Sequence, residues 1–529
     1  MAYDVIVIGS GFGGAITGCR LAEAGYRVLI LERGRRWDKT TYPRRPSDAW
    51  MWKNECPEKE NGWLELHAFP HMAVAQGAGV GGGSLIYANI SCEAPKSSFA
   101  EGWPKEITYD ELKPYYDTVA SFMNVQKVPD NQWTRKMVLM KQAAEKLNYS
   151  DRFQKLELAV SFDPDWTYDQ DDPHNPAKSK RFVNAQGSEQ GTCVHLGNCD
   201  IGCDVDAKNT LDHNYIPWAE KHGAEVRPLH LVTNIEPSAA GYKVYFDRLE
   251  NGQRIAGSET ARIVIVAASS LGSTELLLRC RDINKTLPNL SAFLGHDWSS
   301  NGDFLTPAFY PHAEIVPTKG PTIAAAISFL DGIEDGKSFW IEDGGFPDLL
   351  GDYVKKEQSA TTGLQGVWAK MLIEAFGHML RDSNQPFKNV MPWFAQGVDA
   401  ANGQLTLHHE ILSGKPKLNM TWDIGKSKEL IDTIVSMHQR LAAATEGLPV
   451  VPPTWSVMNY LITPHPLGGC SMGDTPDDGV VTHAGEVFGY KNLYVADAAI
   501  IPEALGVNPS RTIGALAERV AKIIKDEGR

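Results

Sequence analysis

Buried-type hydrophobic runs and helical spacing alternate at the start of the chain. The stretch Tyr3–Ile8 (YDVIVI) is apolar on both faces, which predicts a buried parallel strand. Apolar residues then recur at helical spacing, as at Ile16 and Leu21, and Gly25 is placed to end that helix. A second strand is predicted at Arg27–Leu31. This strand–helix–strand order predicts a doubly wound α/β sheet.

The same pattern returns further along the chain. Val226–Pro237 and GYKVYF are strand-like, and RIVIVAASSLGSTELLL repeats the strand, small-residue turn and helix of the N-terminus. QLTLHH and KLNMTW predict sheet strands, and a helix is predicted from about Ser427 to Glu446. NLYVADAAIIP predicts another buried strand, and TIGALAERVAKIIKDEG predicts the last helix.

We expect the fold class to be α/β, with a discontinuous doubly wound domain for a cofactor and an α+β domain, with a mainly antiparallel sheet, for the substrate. The cofactor domain is expected to comprise residues 1-40, 205-305 and 462-529. The substrate domain is expected to comprise residues 96-204 and 306-461. Residues 41-95, rich in Trp, Pro and Gly, are expected to form a loop segment that contacts the cofactor.

Charge and composition narrow the range of partners. The 529 residues carry a formal net charge of -14, which opposes binding to phosphate backbones, so no nucleic-acid partner is expected. No signal peptide is recognised before the first strand, and the longest apolar run, Thr322–Leu330, is about half the roughly 18 residues of a membrane span. Eight cysteines are too few for a disulfide scaffold. A cytoplasmic protein with reduced thiols and no transmembrane segment is expected.

A glycine turn follows the first strand. Gly9, Gly11 and Gly14 form G-x-G-x-x-G, in which the first glycine permits the turn, the second lets backbone approach a pyrophosphate, and the third permits close helix–strand packing. Helix N-terminal amides then face the phosphates. Glu32, at the end of the second strand, suits a hydrogen bond to a ribose hydroxyl. NAD and FAD both satisfy this pattern.

Two further segments lie far from this turn. The run GAGVGGGS at residues 77–84 indicates either backbone lying against a flat or bulky ligand or simply a tight loop with positive φ angles. HPLGGC and GVNP place His465 and Asn508 on either side of the strand NLYVAD. Imidazole accepts a hydroxyl proton near neutral pH, and Asn can donate a hydrogen bond to the same oxygen. The hypothesis is a catalytic His–Asn pair at the cofactor, and the alternative is a structural histidine.

The chain resembles the glucose–methanol–choline (GMC) oxidoreductases, and within them the flavin-bound cholesterol oxidase branch. The segments that carry this resemblance are VIVIGSGFGGA, GAGVGGGSLIYANI, IVAASSLGSTELLL, HPLGGC and LYVADAAIIPEALGVNPSRTIGALAERVA. Their order and spacing span nearly the whole chain. The resemblance implies FAD as the cofactor, so the discontinuous domain becomes an FAD-binding domain and residues 41-95 a flavin-contacting segment.

The resemblance also implies roles for individual residues. His465 and Asn508 match the family's catalytic pair, with the alcohol proton passing towards His465 and the carbinol hydride to flavin N5. Asp497 matches the acid at the pyrophosphate and ribityl end, and Val232 matches a residue whose backbone contacts the adenine. The implied cofactor-binding residues are Gly9, Gly11, Phe12, Gly13, Gly14, Glu32, Gly79, Gly81, Gly82, Ser84, Tyr87, Asn89, Val232, Asp497, Asn508 and Pro509.

Two departures from the family pattern bear on the chemistry. Covalent-flavin members carry a His two residues after the serine of GVGG-x-S, where this chain has Ile86, so non-covalent FAD is expected. Cholesterol oxidases place a Glu in the substrate cavity as a second base. The corresponding stretch puts Gly351 there without gaps and Asp352 one residue on, which makes Asp352 the candidate and Glu342 a lesser one.

Three cysteines, Cys193, Cys199 and Cys203, lie close together in the pattern C-x5-C-x3-C. Thiolate is the preferred ligand of iron–sulfur clusters, so a [3Fe–4S] cluster that exports electrons is one hypothesis. The alternatives are small buried residues that pack a turn, or one disulfide with a spare thiol. The fourth cysteine of commoner clusters is missing.

The expected function is FAD-dependent oxidation of a small-molecule alcohol to the carbonyl, the alcohol being an apolar or polycyclic secondary one such as a sterol. A lyase on the same scaffold is the second hypothesis. A flavin and iron–sulfur module that passes electrons to a partner protein is the third. Oxygen and a quinone or cytochrome both remain open as the electron acceptor.

Overall fold

Helices and strands alternate through most of the described chain. The computed structural model describes residues 3–45, 47–349, 387–409 and 416–528. In chain order the strands are Tyr3–Ile8 (β1), Val28–Leu31 (β2), Leu64–Phe69 (β3), Met72–Gly77 (β4), Phe153–Lys155 (β5), Phe182–Val183 (β6), Glu189–Gln190 (β7), Glu225–Arg227 (β8), His230–Ser238 (β9), Gly241–Glu250 (β10), Gln253–Val266 (β11), Phe304–Phe309 (β12), Ala325–Glu334 (β13), Lys337–Asp343 (β14), Val390–Gly397 (β15), Gln404–His409 (β16), Pro416–Thr421 (β17), Leu448–Pro449 (β18), Leu461–Thr463 (β19) and Leu493–Val495 (β20). The α-helices are Phe12–Glu23 (α1), Tyr109–Phe122 (α2), Arg135–Lys146 (α3), Tyr215–Lys221 (α4), Ser269–Leu278 (α5), Lys428–Ala444 (α6), Pro453–Ser456 (α7) and Ser510–Asp526 (α8).

A seven-stranded sheet carries the first glycine turn. Its order is β8-β2-β1-β11-β10-β9, with β20 also paired to β11. The pairs β1–β2, β1–β11 and β11–β20 are parallel. Both faces of β1 are covered, and Val5, Ile6 and Val7 are fully buried, which explains its continuous apolar run. The predicted first strand is confirmed, and the second begins at Val28 rather than Arg27.

Three long strands extend this sheet as an antiparallel meander, because β10 pairs with both β9 and β11. The single strand-like cluster expected at Val226–Pro237 is divided in the structure: it spans β8 and most of β9, and Leu229 between them has a left-handed backbone with φ 58°. The strands of the sheet come from three separated stretches, each inside one predicted piece of the FAD-binding domain. The exact domain boundaries stay a prediction.

Helices α1, α4 and α8 cover one face of the sheet. They bury a cluster that includes Val5, Ile16 and Ile30. Gly18 lies directly on this contact, since a Cβ there would approach Ile30 Cδ1 to 2.8 Å. Gly25, with φ 87°, follows the end of α1 as the sequence predicted.

A second sheet, of six strands, has the order β18-β12-β15-β14-β13-β5, and every pairing in it is antiparallel. The expectation of a mainly antiparallel sheet beside the doubly wound one is therefore confirmed. Helices α3 and α6 pack on this sheet. The predicted strands QLTLHH and KLNMTW pair with each other as β16 and β17. None of the helices in the described part of the chain is long and apolar enough to span a bilayer.

Candidate active site

The first glycine turn brings β1 and α1 into direct contact. Gly9 has φ 99°, and its N–H donates to Leu31 O at 2.8 Å. An added Cβ would lie 2.0 Å from Gly9 O at Gly14, and 1.8 Å from Ala496 O at Gly13. At Gly11 the nearest atom to such a Cβ is 3.9 Å away. Gly13 and Gly14 are therefore required by protein packing, whereas the space beside the Gly11 Cα can accommodate a further group.

Glu32 lies beside this turn, almost completely buried. Its Oε2 accepts hydrogen bonds from Ser10 N at 3.0 Å and Ser10 Oγ at 2.7 Å, and its Oε1 accepts from Gly34 N at 2.8 Å. His230 N donates to Glu32 O at 2.8 Å, which places β9, and Val232 within it, next to the end of β2.

The second glycine segment lies against the first. Gly81 and Gly82 have φ of 108° and 53°, and a Cβ on Gly82 would lie 2.6 Å from Gly11 Cα. Gly81 N donates to Ser10 Oγ at 3.1 Å. Ser84 fixes the segment, because its hydroxyl donates to Gly81 O at 2.7 Å and accepts from Leu211 N at 3.1 Å. The positive φ angles agree with the tight-loop interpretation, whereas the interpretation as backbone lying against a ligand stays a prediction.

Gly79 and Tyr87 flank that segment. A Cβ on Gly79 would lie 2.5 Å from Trp37 Cδ1, so this glycine is required by packing. The Tyr87 ring is 5.6 Å from that of Phe12 in an edge-to-face arrangement, and its hydroxyl donates to Asn209 O at 2.7 Å. Phe12, the first residue of α1, thus connects the two glycine segments.

His465 is held by a buried carboxylate. Its Nδ1 lies 2.9 Å from Oδ1 and 3.0 Å from Oδ2 of Asp303. Thr463 hydrogen-bonds Asp303 Oδ2 through its hydroxyl, which also accepts the His465 N–H at 2.8 Å. Asp303 is 1% exposed; burial raises its pKa, and the His465 imidazole opposes that shift. Asp303 was not among the residues expected from the sequence.

Asn508 lies in the loop before α8 and faces Glu342 on β14. Glu342 Oε2 accepts from Gln396 Nε2 at 3.2 Å, and Gln396 Oε1 accepts from Trp340 Nε1 at 2.6 Å. Burial, followed by the neighbouring carboxyl groups Asp343 and Asp303, raises the pKa of Glu342 well above its ordinary value. Within the described residues, Asn508 Oδ1 and Glu342 Oε1 have no hydrogen-bond partner.

Asp352, expected as the second acid of the site, lies outside the described residues. Its role therefore stays a prediction. The structure places Glu342, the lesser candidate, beside Asn508.

Comparison with known proteins identifies the family of this chain. Models of the GMC oxidoreductase family match residues 4–157 and 399–517. A cholesterol oxidase of Acinetobacter baumannii is 30% identical, covering 99% of this chain and 94% of its own. A 2-methyl-1,2-propanediol dehydrogenase of Mycolicibacterium austroafricanum is 26% identical over 98% of this chain and 95% of its own. The chain belongs to the GMC oxidoreductase family.

Solved structures agree on the fold. Formate oxidase of Aspergillus oryzae RIB40 superposes with a TM-score of 0.66 at 13% identity, covering 99% of this chain and 98% of its own. Pyridoxine 4-oxidase of Mesorbium loti superposes with a TM-score of 0.62 at 14% identity, covering 99% of each chain. As a GMC oxidoreductase the chain is a flavoprotein that acts on alcohols, and its N-terminal part binds FAD.

The residues present fit FAD in this GMC oxidoreductase. Among the described residues no side chain caps the first turn of α1, so its amides remain for a pyrophosphate. Asn89 is fully buried with φ 71°, and among the described residues neither its Oδ1 nor its Nδ2 has a hydrogen-bond partner. Buried amide groups are rarely left unpaired, so these atoms indicate a ligand.

Asp497 and Pro509 are the remaining residues expected to bind the cofactor. Asp497 Oδ2 accepts from Ser269 N at 2.8 Å, its Oδ1 accepts from Ala499 N at 2.8 Å, and burial raises its pKa to about 6. Its Cβ lies 2.9 Å from where a Cβ on Gly13 would be, which places the acid at the first turn of α1. Pro509 directly precedes α8.

The cysteine cluster gives no support to an iron–sulfur centre. In the described part of the chain no three His, Cys, Asp or Glu side chains converge as a metal ion requires. Cys193 Sγ accepts from His195 N at 3.4 Å, and Cys203 Sγ accepts from Ala207 N at 3.3 Å. These thiols, with Cys199 between them in the sequence, are free, and Cys193 and Cys203 pack within a buried cluster around Trp166. The packing alternative is the one that these contacts favour.

Proposed function

We propose that this protein oxidises an apolar secondary alcohol to the carbonyl compound, with His465 as the proton acceptor and Asn508 orienting the substrate oxygen. The observation that carries the proposal is the anchoring of His465: its ring hydrogen bonds within the described residues are all made by Nδ1. Nε2 is therefore left for a substrate hydroxyl. FAD supplies the hydride acceptor of the family's chemistry.

His465 and Asn508 act on the substrate hydroxyl group, and Asp303 supports His465. Neutral imidazole takes the hydroxyl proton at Nε2, and the Asp303 carboxylate stabilises the imidazolium that forms. Asn508 Nδ2 can donate to the substrate oxygen.

Apolar side chains near the pair support the choice of substrate class. The Phe394 ring lies 6.4 Å from the His465 ring. A Cβ on Gly506 would lie 3.0 Å from Val398 and 3.3 Å from Leu330, so the loop that carries Asn508 is bordered by aliphatic groups. Two of the relatives at 30% identity are cholesterol oxidases, from Acinetobacter baumannii and Mycobacterium tuberculosis, which places sterols first among the alcohols to test.

We further propose that FAD is held without a covalent bond. Ile86 stands where covalent members have a histidine, and its side chain packs against the aromatic cluster of Trp37, Tyr42 and Trp63. An isoleucine offers no nucleophile for a link to the flavin.

An anaerobic flavin-reduction screen tests the function. Sterols, terpene alcohols, sugars and aryl alcohols are mixed with the purified holoenzyme, and the flavin absorbance is followed. Bleaching by sterols or other apolar secondary alcohols is expected, with His465→Ala losing the reaction while it retains FAD. His312→Ala, an exposed histidine, is the matched control and should react like the wild type. Product formation without bleaching would favour a lyase, and unchanged bleaching in His465→Ala would remove the assigned role. Repeating the reaction in air with peroxide detection identifies the electron acceptor.

A further inference from the structure

One short turn, Ser299–Asp303 (SSNGD), contacts the loops of both His465 and Asn508. On the His465 side, Ser299 and Leu467 exchange two backbone hydrogen bonds, at 3.1 and 3.0 Å. Asp303 then binds His465 Nδ1 directly. The turn therefore holds the HPLGGC loop at two points, and one of them is the imidazole itself.

On the other side, Asn301 holds the loop that leads to Asn508. Its Nδ2 donates to Val507 O at 2.8 Å, and its Oδ1 accepts from Leu505 N at 2.9 Å and Gly506 N at 3.0 Å. Asn301 is fully buried and has a left-handed backbone with φ 57°. Three hydrogen bonds to consecutive residues fix that loop immediately before Asn508.

Asp399 makes the turn rigid. Its carboxylate accepts from Ser299 Oγ at 2.8 Å and from Ser300 N and Oγ at 2.9 and 2.7 Å. It also accepts from Gly302 N at 3.3 Å. A carboxylate that satisfies so many donors holds the turn in one conformation.

We propose that the Ser299–Asp303 turn is the positioning element of the catalytic pair, with Asp303 fixing His465 in its Nδ1–H form and Asn301 fixing the loop of Asn508. The proposal rests on the proposed function, because it concerns the same proton transfer. Asp303 and Asn301 act through other residues and are positioning residues.

The chemistry of Asp303 follows from the atoms it touches. A carboxylate accepts but does not donate, so Nδ1 must carry the proton and neutral His465 must present an unprotonated Nε2. An amide in place of Asp303 could donate to Nδ1 instead, which would place the proton on Nε2 and block proton acceptance. It would also remove the negative charge that stabilises the imidazolium.

The experiment compares holoenzyme variants at equal FAD content. In Asp303→Asn the flavin-reduction rate at saturating alcohol is expected to fall about 100-fold or more, with little change in substrate affinity. In Asn301→Gly, which keeps the left-handed backbone but loses three hydrogen bonds, the rate is expected to fall about tenfold or more. Asp163→Asn is the matched control, since that carboxylate is also buried but binds Lys180 and the Asp165 backbone instead. It should match the wild type.

Nitrogen-15 NMR of histidine-labelled holoenzyme gives a second readout. The His465 signal, assigned with His465→Ala, is expected to show Nδ1–H in the wild type and to lose it in Asp303→Asn. A wild-type ring protonated on Nε2 overturns the proposal, as does an Asp303→Asn variant with the flavin-reduction rate of Asp163→Asn.

A second variant and the tautomer measurement separate failure of this proposal from failure to fold and from failure of the proposed function. If Asp303→Asn fails to fold, Thr463→Val removes the hydroxyl partner of Asp303 and is expected to lower the rate about tenfold. A wild-type rate in Thr463→Val would then count against the proposal. If no alcohol reduces the flavin, the proposed function fails, and the tautomer measurement still decides the role of Asp303.

Discussion

Gln396 donates a hydrogen bond of 3.2 Å from Nε2 to the carboxyl group of Glu342. Gln396 is itself fixed because its Oε1 accepts from Trp340. Glu342 is fully buried, and burial together with Asp343 and Asp303 raises its pKa well above the ordinary 4.5. Folding therefore favours the protonated form of this carboxyl group, which has a consequence for stability.

The stability of the wild type should fall as pH rises above the ordinary pKa of Glu342. In that range the unfolded chain loses the proton while the folded chain keeps it, so the unfolded state binds fewer protons. Each pH unit then lowers the free energy of unfolding by about 1.4 kcal/mol, up to the raised pKa of the folded state. In Glu342→Gln this contribution to the pH dependence of the free energy of unfolding should be absent. Urea midpoints at pH 5.5 and 8, with FAD in fixed excess, measure it.

Glu429→Gln is the control for that measurement, because Glu429 is exposed and forms an ion pair with Lys337. The free energy of unfolding of Glu429→Gln should change with pH as much as that of the wild type. Other buried acids, such as Asp343 and Asp497, also have raised pKa values and act in the same direction. The comparison therefore rests on the difference between Glu342→Gln and the wild type, and an equal slope in the two would show that Glu342 is ionised in the folded protein.

Gly14→Ala should lower the stability of the fold, whereas Gly11→Ala should weaken the binding of FAD. At Gly14 a Cβ would lie 2.0 Å from Gly9 O, so the alanine must push α1 from β1 and should cost about 3 kcal/mol of stability. At Gly11 the nearest protein atom is 3.9 Å away, so the fold should persist. The added methyl instead occupies space for the pyrophosphate and should weaken FAD binding tenfold or more, about 1.4 kcal/mol. Thermal unfolding of the apoprotein and FAD titration separate the two effects. A Gly11→Ala variant that binds FAD like the wild type would mean that the pyrophosphate lies elsewhere.

The glycine turn could be predicted from the sequence because its constraints are local. Gly9 needs φ 99°, and Gly14 packs on the Gly9 carbonyl five residues away, so residue type and spacing carry the information. Asp303 could not be predicted in this way. It lies 162 residues before His465, and SSNGD resembles any polar turn. The backbone pairing of Ser299 with Leu467 brings the two segments together.

Strand register limited the sequence interpretation in the second sheet. Placing an acid in the site depends on which residue of β14 faces Asn508, and the pairing of Glu342 with Ala326 and Phe394 decides that. A shift of one residue would turn the side chain to the other face. The sequence indicates Glu342 only as the lesser candidate, and Asp352, outside the described residues, stays a prediction.

Arg511 should be hard to replace even by lysine. Its buried guanidinium donates to Tyr116 O at 3.0 Å and Ser91 O at 3.1 Å, and it pairs with Glu157 and Glu93. A lysine has one nitrogen and cannot reach all four partners, so Arg511→Lys should lower the free energy of unfolding by about 2 kcal/mol.

Thermal unfolding at fixed FAD concentration measures this loss. Arg248→Lys is the control, since Arg248 is half exposed and pairs only with Glu250. That exposed pair should contribute less than about 1 kcal/mol. If Arg511→Lys and Arg248→Lys unfold at the same temperature, the network around Arg511 does not stabilise the start of α8.

Replacing Cys193, Cys199 and Cys203 together by serine should leave the flavin spectrum and the reduction rate unchanged. Two of these thiols accept backbone N–H groups, and a serine oxygen can accept them too. The expected visible spectrum is that of flavin alone, with no stoichiometric iron by metal analysis. About three irons per wild-type chain, lost in the triple variant, would restore the iron–sulfur hypothesis.

Acid precipitation should release the FAD from this protein into the supernatant. Covalent attachment requires a nucleophilic side chain at the flavin, and Ile86 has none. The side chain at this position also packs with Leu64 against Trp63, within an aromatic cluster. A histidine introduced there would enter the same cluster, so Ile86→His should release its FAD as well. Absorbance of the supernatant and in-gel fluorescence of the denatured chain measure the two fractions. Fluorescence retained by the wild-type chain would reveal a covalent link through another residue, whereas fluorescence retained only by Ile86→His would show that position 86 does reach the flavin.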